Sequence, residues 1–372
     1  MVEIIYLDHA ATTPLCEAAK KAIINHLDDF GNPSSSYEFG RKSRLLIEDA
    51  RERIAKCINA EPDEIYFTSG GSEANTWALD TRDVIKSTIE HHSVKLGYKH
   101  TPVNVDGIIN IFKIENDIQS YLKLGWFPDL IVSYMYVNNE LGTIQPIKKA
   151  VQMAHNNKVI FHTDAVQAVG HIPVDVKELN VDMLSASAHK WGGMKGNGFL
   201  YVKKGILVSK LINGGKQENN KRGGTENVLG IISMAAALED AVEHMEERSK
   251  YIKALRDRLL EKLLQIEGSY LNGSLESRVV SNINICFDGV LASRLVALCD
   301  LYGICISAGS ACNEGNAEPS HVLKAIGLSD EDALSSIRIT LGYENTAEEI
   351  DQAADIITKL VARIREENNS MS

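Results

Sequence analysis

No two cysteines in this sequence are spaced C-x-x-C; the six present, at positions 16, 57, 286, 299, 305 and 312, are scattered. That pattern argues against a zinc ribbon or a thioredoxin motif, and the spacing of Cys299, Cys305 and Cys312 matches no metal motif, so no metal is expected. Thiols this sparse suit a reducing compartment. No stretch approaches the roughly 18 consecutive apolar residues of a membrane span. Met1 to Ala11 carries Glu3, Asp8 and His9 and lacks the basic start and apolar centre of a secretory leader. A cytoplasmic protein with no membrane partner is expected. Positive charge is in deficit: 39 Lys+Arg against 50 Asp+Glu leaves −11. An acidic chain is a poor general binder of nucleic acid, so no stable complex of that kind is expected. Internal repeats and low-complexity linkers are also missing.

What is present is an ordinary globular composition. Hydrophobic residues make up 44% and charged residues 24% of 372 positions, close to the average for a folded soluble chain. At roughly 150 residues per domain the length allows two or three domains and a large core. Short apolar runs read as strands at Ile65–Thr68, Leu130–Tyr134, Val159–Thr163, Met183–Ser187 and Gly198–Val202, with helical spacers such as Lys148–Asn156. This alternation predicts an α/β domain with a largely parallel sheet. From Gly230 to Ile266 apolar residues recur every three or four positions, which predicts one long amphipathic helix or two joined end to end. A strand over Ser281–Phe287 and helices over Ala292–Leu301 and Ala347–Arg365 make the last third a smaller α+β domain. We place the large domain at 1–255, with residues 1–15 packing on the small one, and the small domain at 256–372. The polar tail Glu366–Ser372 is expected to fray.

Three segments carry chemistry. Lys190 follows the strand Met183–Ser187. An ammonium at the end of a buried strand is costly, and such lysines often have a lowered pKa and a covalent task; the alternative is a lysine that simply faces solvent. Asp164 ends the strand before it, where a parallel sheet opens its ligand crevice; a helix N-cap is the alternative. Pyridoxal phosphate needs both groups, a lysine for its aldehyde and commonly a carboxylate for its ring nitrogen. Third, Thr68-Ser69-Gly70-Gly71-Ser72-Glu73-Ala74-Asn75 runs from strand through glycines into a helix, a setting for an anion such as a phosphate. An ordinary turn with Ser72 as N-cap is the alternative.

Taken together and in order, these segments resemble the class V, aminotransferase-fold family of pyridoxal-phosphate enzymes, and within it the cysteine desulfurases. The resemblance starts at Tyr6-Leu7-Asp8-His9-Ala10-Ala11-Thr12-Thr13-Pro14 and Phe30-Gly31-Asn32-Pro33-Ser34-Ser35. It continues through Ser69–Asn75, Glu90-His91, Asn138-Asn139-Glu140-Leu141-Gly142-Thr143, Asp164–Gln167 and Ser187–Lys190. Arg222-Gly223-Gly224-Thr225-Glu226-Asn227, Ser307–Cys312, Glu318–Leu323 and Ser336-Ile337-Arg338 complete it. The implied fold has a mostly parallel seven-stranded sheet in the large domain. The implied cofactor is pyridoxal 5′-phosphate, and the implied substrate is L-cysteine.

The resemblance also implies roles. Lys190 holds the cofactor aldehyde covalently and later moves protons at the substrate α-carbon. Asp164 pairs with the pyridinium nitrogen. Gln167 and Asn139 bond the phenolic oxygen, with Asn139 also facing substrate. His91 stacks on the ring and assists proton transfer. Gly71, Ser72, Ser187 and His189 hold the phosphate, joined by Thr225 from the partner subunit of a homodimer. Arg338 forks onto the substrate carboxylate with help from Asn32. Cys312 sits in a Gly/Ser/Asn-rich stretch, 309–318, long enough for a mobile loop. Its thiolate is the nucleophile that takes the substrate sulfur as a persulfide, releases alanine and passes the sulfur to an acceptor protein. Iron–sulfur cluster assembly and tRNA or DNA thiolation draw on such enzymes. Cys16, Cys57, Cys286, Cys299 and Cys305 read as core thiols.

Departures from the family pattern are local. The stretch between Asn75 and Glu90 is short. Met194 replaces a usual proline, Tyr343 follows Gly342 where arginine is common, and the chain stops soon after the last helix. The alternatives are a selenocysteine lyase or another class V aminotransferase-type enzyme, and a non-catalytic docking protein. The last is disfavoured by intact Lys190, Asp164 and Cys312.

Overall fold

The computed structural model describes residues 4–94, 97–125, 130–309 and 318–371. Its thirteen strands in this range are β1 (Ile5–Tyr6), β2 (Ile65–Thr68), β3 (Asp83–Ser87), β4 (Lys99–Thr101), β5 (Leu130–Met135), β6 (Ile160–Asp164), β7 (Met183–Ser187), β8 (Gly198–Val202), β9 (Ser269–Leu271), β10 (Asn282–Phe287), β11 (Ile304–Cys305), β12 (Ser307–Ala308) and β13 (Ser336–Thr340). Seven form one sheet in the order β2-β8-β7-β6-β5-β3-β4. Only β8 runs against the others, being antiparallel to both β2 and β7, so the sheet is mostly parallel, as expected.

The central strands are apolar because both faces are covered. Alternate residues point opposite ways. Val132, Phe161, Leu184 and Phe199 pack under one layer that includes Ile47 and Ile54 of the helix Glu38–Cys57 and Ile231 and Leu238 of the helix Val228–Glu243. Their neighbours Ile131, Met183 and Leu200 pack instead with Ala74, Trp77 and Ala78 of the helix Gly71–Leu79. That helix and β3 fill the short stretch between Asn75 and Glu90.

A second, four-stranded sheet has the order β12-β13-β10-β9 and is antiparallel throughout. Ile283, Ile285, Ile337 and Ile339 pack there with Leu259, Leu295, Ile357 and Val361 of the flanking helices. Near the chain start, β1 pairs with β11 in parallel, Ile5 opposite Ile304, and Ile5 and Leu7 join this second core.

The periodic stretch from Gly230 is two helices, Val228–Glu243 and Met245–Leu263, meeting at His244. Asp240 staples the joint by accepting from Arg248 at 2.8 Å. Tyr343 takes the Arg248 guanidinium over its ring, 4.1 Å from the centroid. The expected frayed tail is a correction: the last helix runs Ala347–Met371. Its final turns are tied down. Glu367 accepts from Arg363 at 2.8 Å and pairs with Arg294, and Asn368 donates to Gly289 O at 2.9 Å. Among the described residues no helix is long and apolar enough to cross a membrane.

Candidate active site

Strands β5, β6 and β7 end on the same edge of the sheet, and the chain leaving each carries polar side chains into one crevice. A cavity of about 290 Å³ lies there, walled by Gly71, Ser72, His91, Asn139, Asp164, Gln167, Ser187, His189, Lys190 and Arg338, together with Ala10, Ala11, Asn75, Ser93, Met135, Val137 and Val166.

The helix Gly71–Leu79 points its N-terminus at this cavity. Gly70 takes φ of +147°, a conformation that favours glycine. At Gly71 a Cβ would stand 2.5 Å from Val166 Cγ2, so a larger residue would have to push the Val166 side chain aside for the helix to start this close to the loop after β6. The first backbone N–H groups of that helix, with the Ser72 and Ser187 hydroxyls beside them, form an anion cradle.

Asp164, at the end of β6, is buried. Its Oδ1 accepts from Val166 N at 3.0 Å and its Oδ2 from Asn75 Nδ2 at 2.7 Å. Asn75 Nδ2 also donates to Ser93 Oγ at 2.8 Å, and that hydroxyl meets His91 Nδ1 at 2.7 Å. Since His91 Nδ1 also accepts from Ser93 N at 3.1 Å, the ring proton belongs on Nε2. Burial by the surrounding protein lowers the His91 pKa, with Asp164 opposing.

Lys190 lies in the short turn Ala188–Lys190 after β7. Its Nζ donates to Ala10 O at 2.6 Å and Ala11 O at 2.8 Å. Burial lowers its pKa to about 8, the Arg338 cation adding to the effect and Asp8 and Asp164 opposing it. Gln167 Nε2 donates to the same Ala10 O at 3.0 Å. His189 meets Thr12 Oγ1 through Nδ1 at 3.2 Å, and burial pushes its pKa down to about 4. Arg338, in β13, is buried. Its Nη2 donates to Asp8 Oδ1 at 2.7 Å and its Nη1 to Asn139 O at 3.1 Å, while Nε has no partner among the described residues.

Two expected residues stand apart from this cavity. Asn32 is exposed and its Oδ1 accepts from Ser34 N at 2.9 Å. Thr225 is also exposed. Cys312 lies outside the described residues. The other five cysteines are free. Burial raises all five thiols, Cys57 to about 11 and Cys299 to about 12. Asn75 and Ser93, which tie Asp164 to His91, carried no role in the sequence reading. The available signal was Asn75 lying four residues after Gly71, on the same helix face.

A strand-edge cavity that combines an anion cradle, a buried carboxylate and a lysine of lowered pKa defines the class: an α/β enzyme with its active site at the carboxyl ends of the parallel strands. Comparison with known proteins agrees. The aminotransferase class-V family model matches residues 5–353, and this chain belongs to that family. It is 44% identical to the cysteine desulfurase IscS of Dictyoglomus turgidum, over 97% of this chain and 95% of the relative. A solved NifS-like protein superposes with a TM-score of 0.87 at 34% identity, covering 96% of this chain and 99% of the other. A structure described as SspA in complex with cysteine superposes with a TM-score of 0.77 at 32% identity, covering 92% and 99%.

Proposed function

We propose that this chain is a pyridoxal-phosphate-dependent cysteine desulfurase that converts L-cysteine to L-alanine and leaves the sulfur as a persulfide on Cys312 for an acceptor protein. The observation that carries this reading is the convergence of Lys190, Asp164 and the Gly71 helix start on one cavity, in a chain with near full-length similarity to curated cysteine desulfurases.

The donor set fits the cofactor. Gly71, Ser72, Ser187 and His189 would hold its phosphate, with Thr225 supplied by the second copy in a homodimer. Asp164 would hold the proton on the ring nitrogen, and Asn75 fixes that carboxylate. Asn139 and Gln167 would face the phenolic oxygen, and His91 the ring. When bound, the cofactor supplies an aldehyde that bonds an amine and a ring that takes up electron density from the substrate α-carbon. Lys190 moves the α-proton, a task suited to an amine whose pKa sits near neutrality. Arg338 binds the substrate carboxylate; Asn32, which stands apart from the cavity, takes no part in that grip.

The sulfur step balances without an outside oxidant. The Cys312 thiolate forms an S–S bond to the substrate sulfur while the C–S bond breaks. The electron pair of that bond stays on carbon, which is protonated to give alanine.

We read the chain as two units dividing near residue 255. The separate cores of the two sheets support this, and so does the pairing of β1 with β11. The decisive experiment measures alanine and persulfide from L-cysteine, with Cys312→Ala and Lys190→Ala beside the wild type. Alanine from the wild type alone is expected. Full turnover by Cys312→Ala would sink the persulfide step.

A further inference from the structure

The segment Asp8–Thr13 brings two backbone carbonyls, those of Ala10 and Ala11, to the Lys190 amine. Its first residues turn tightly, Ala11 N donating to Asp8 O at 3.0 Å, so that the carbonyls of Ala10 and Ala11 both meet the Lys190 amine. The turn is hooked on several sides. Ala10 N donates to Thr340 Oγ1 at 2.9 Å. Thr13 N and Thr13 Oγ1 both donate to His189 O at 2.9 Å. Tyr6 Oη spans the turn, 2.8 Å from Thr12 O and 3.1 Å from Asp8 O.

We propose that this turn is a working part of the site: the Ala10 and Ala11 carbonyls receive the Lys190 amine whenever substrate displaces it from the cofactor, and Tyr6 is the positioning residue that holds them. This rests on the role given to Lys190 above. The chemistry of the cradle suits that task. Carbonyls only accept. A neutral amine has two N–H groups, and two carbonyls satisfy both while its lone pair stays free for the α-proton. Once protonated, the same amine keeps two N–H groups on the cradle and has a third to give back. The two carbonyls therefore serve both halves of a proton transfer without the lysine changing place.

The charged and titratable groups around Lys190 are Asp8, His91, Asp164, His171, His189 and Arg338. Tyr6→Phe alters none of these side chains and removes only the hydroxyl that spans the turn. In the holoenzyme we expect kcat to fall about fivefold, the size of one lost hydrogen bond. KM for L-cysteine and the resting absorbance of the bound cofactor should stay as in the wild type. In the cofactor-free full-length chain the amine rests on the cradle directly. There, acylation of Lys190 by an amine-reactive ester, read by mass spectrometry, should be about fivefold faster in Tyr6→Phe at equal pH. Thr340→Val unhooks the turn from its other side and should act the same way if Tyr6→Phe does not fold. Unchanged acylation overturns the proposal, whatever happens to kcat. The acylation test also stands apart from the desulfurase reading, which fails separately if the wild type forms no alanine.

Discussion

Replacing Arg338 by glutamine removes the guanidinium that, among the described residues, the cavity offers to a substrate carboxylate beside the cofactor lysine. A guanidinium has five N–H groups. In Arg338 one on Nη1 goes to Asn139 O and one on Nη2 to Asp8, and Nε is buried without a partner among the described residues. Three donors remain, enough for a two-pronged grip on a carboxylate. Hydrogen bonds to charged groups contribute roughly 1.5–3 kcal/mol each. Taking the lower figure for two of them gives about 3 kcal/mol, or roughly a hundredfold in kcat/KM. The assay compares L-cysteine with cysteamine, which has the same amine and thiol but no carboxylate. Arg338→Gln should lose about a hundredfold with L-cysteine and almost nothing with cysteamine. Asp8 keeps the Ser307 hydroxyl at 2.7 Å, so the variant still has a partner for that carboxylate. Equal losses with both substrates would refute the reasoning, because they would mean that Arg338 acts only by holding the fold together.

Two further predictions concern stability. Glu218 accepts from Arg51 Nη1 and Nη2 at 2.9 and 2.8 Å with side-chain exposures of 3% and 11% for Glu218 and Arg51, so Glu218→Gln leaves the Arg51 cation with only the half-exposed Glu48 carboxylate, 3.2 Å from its Nε. It should cost about 2–3 kcal/mol in urea unfolding, and adding Arg51→Met should recover part of that; an additive double variant would count against the pairing. Burial raises the Glu140 pKa to about 7, against about 4.3 for an unfolded glutamate. Its contribution to stability is therefore present below pH 4.3 and lost as pH rises through 7. Glu140→Gln keeps an acceptor for the Ser320 hydroxyl and should match the wild type near pH 4. It should exceed it by on the order of 3–4 kcal/mol at pH 8, and parallel stability curves would contradict this.

The parts of this molecule legible in the sequence are those whose signal is local. β2, β5, β6, β7 and β8 are apolar because they are buried, and Asp164 and Lys190 are conspicuous because they are charges at the ends of buried strands. Two missed strands, β3 and β13, do carry apolar residues, Val84 and Ile85 in one and Ile337 and Ile339 in the other; four more lack that signal. β4 is Lys-His-Thr on the sheet edge, and β1, β11 and β12 have two residues each. Their pairing depends on contacts far apart in sequence, such as Ile5 with Ile304, which no periodicity announces. The last helix outran its apolar stripe because its final turns are held by Glu367 and Asn368, polar residues whose partners Arg294 and Gly289 lie elsewhere. The site divides in the same way. Side-chain chemistry at Lys190, Asp164 and Arg338 can be read from residue type. Ala10 and Ala11 cannot be read that way, because what they present to Lys190 is a backbone carbonyl, which every residue carries. What makes those carbonyls useful is the turn, and the turn is held by Tyr6, Thr13 and Thr340. A sequence reading therefore finds the groups that react before it finds the groups that hold them. Here the holding groups are the ones that decide where the Lys190 amine rests.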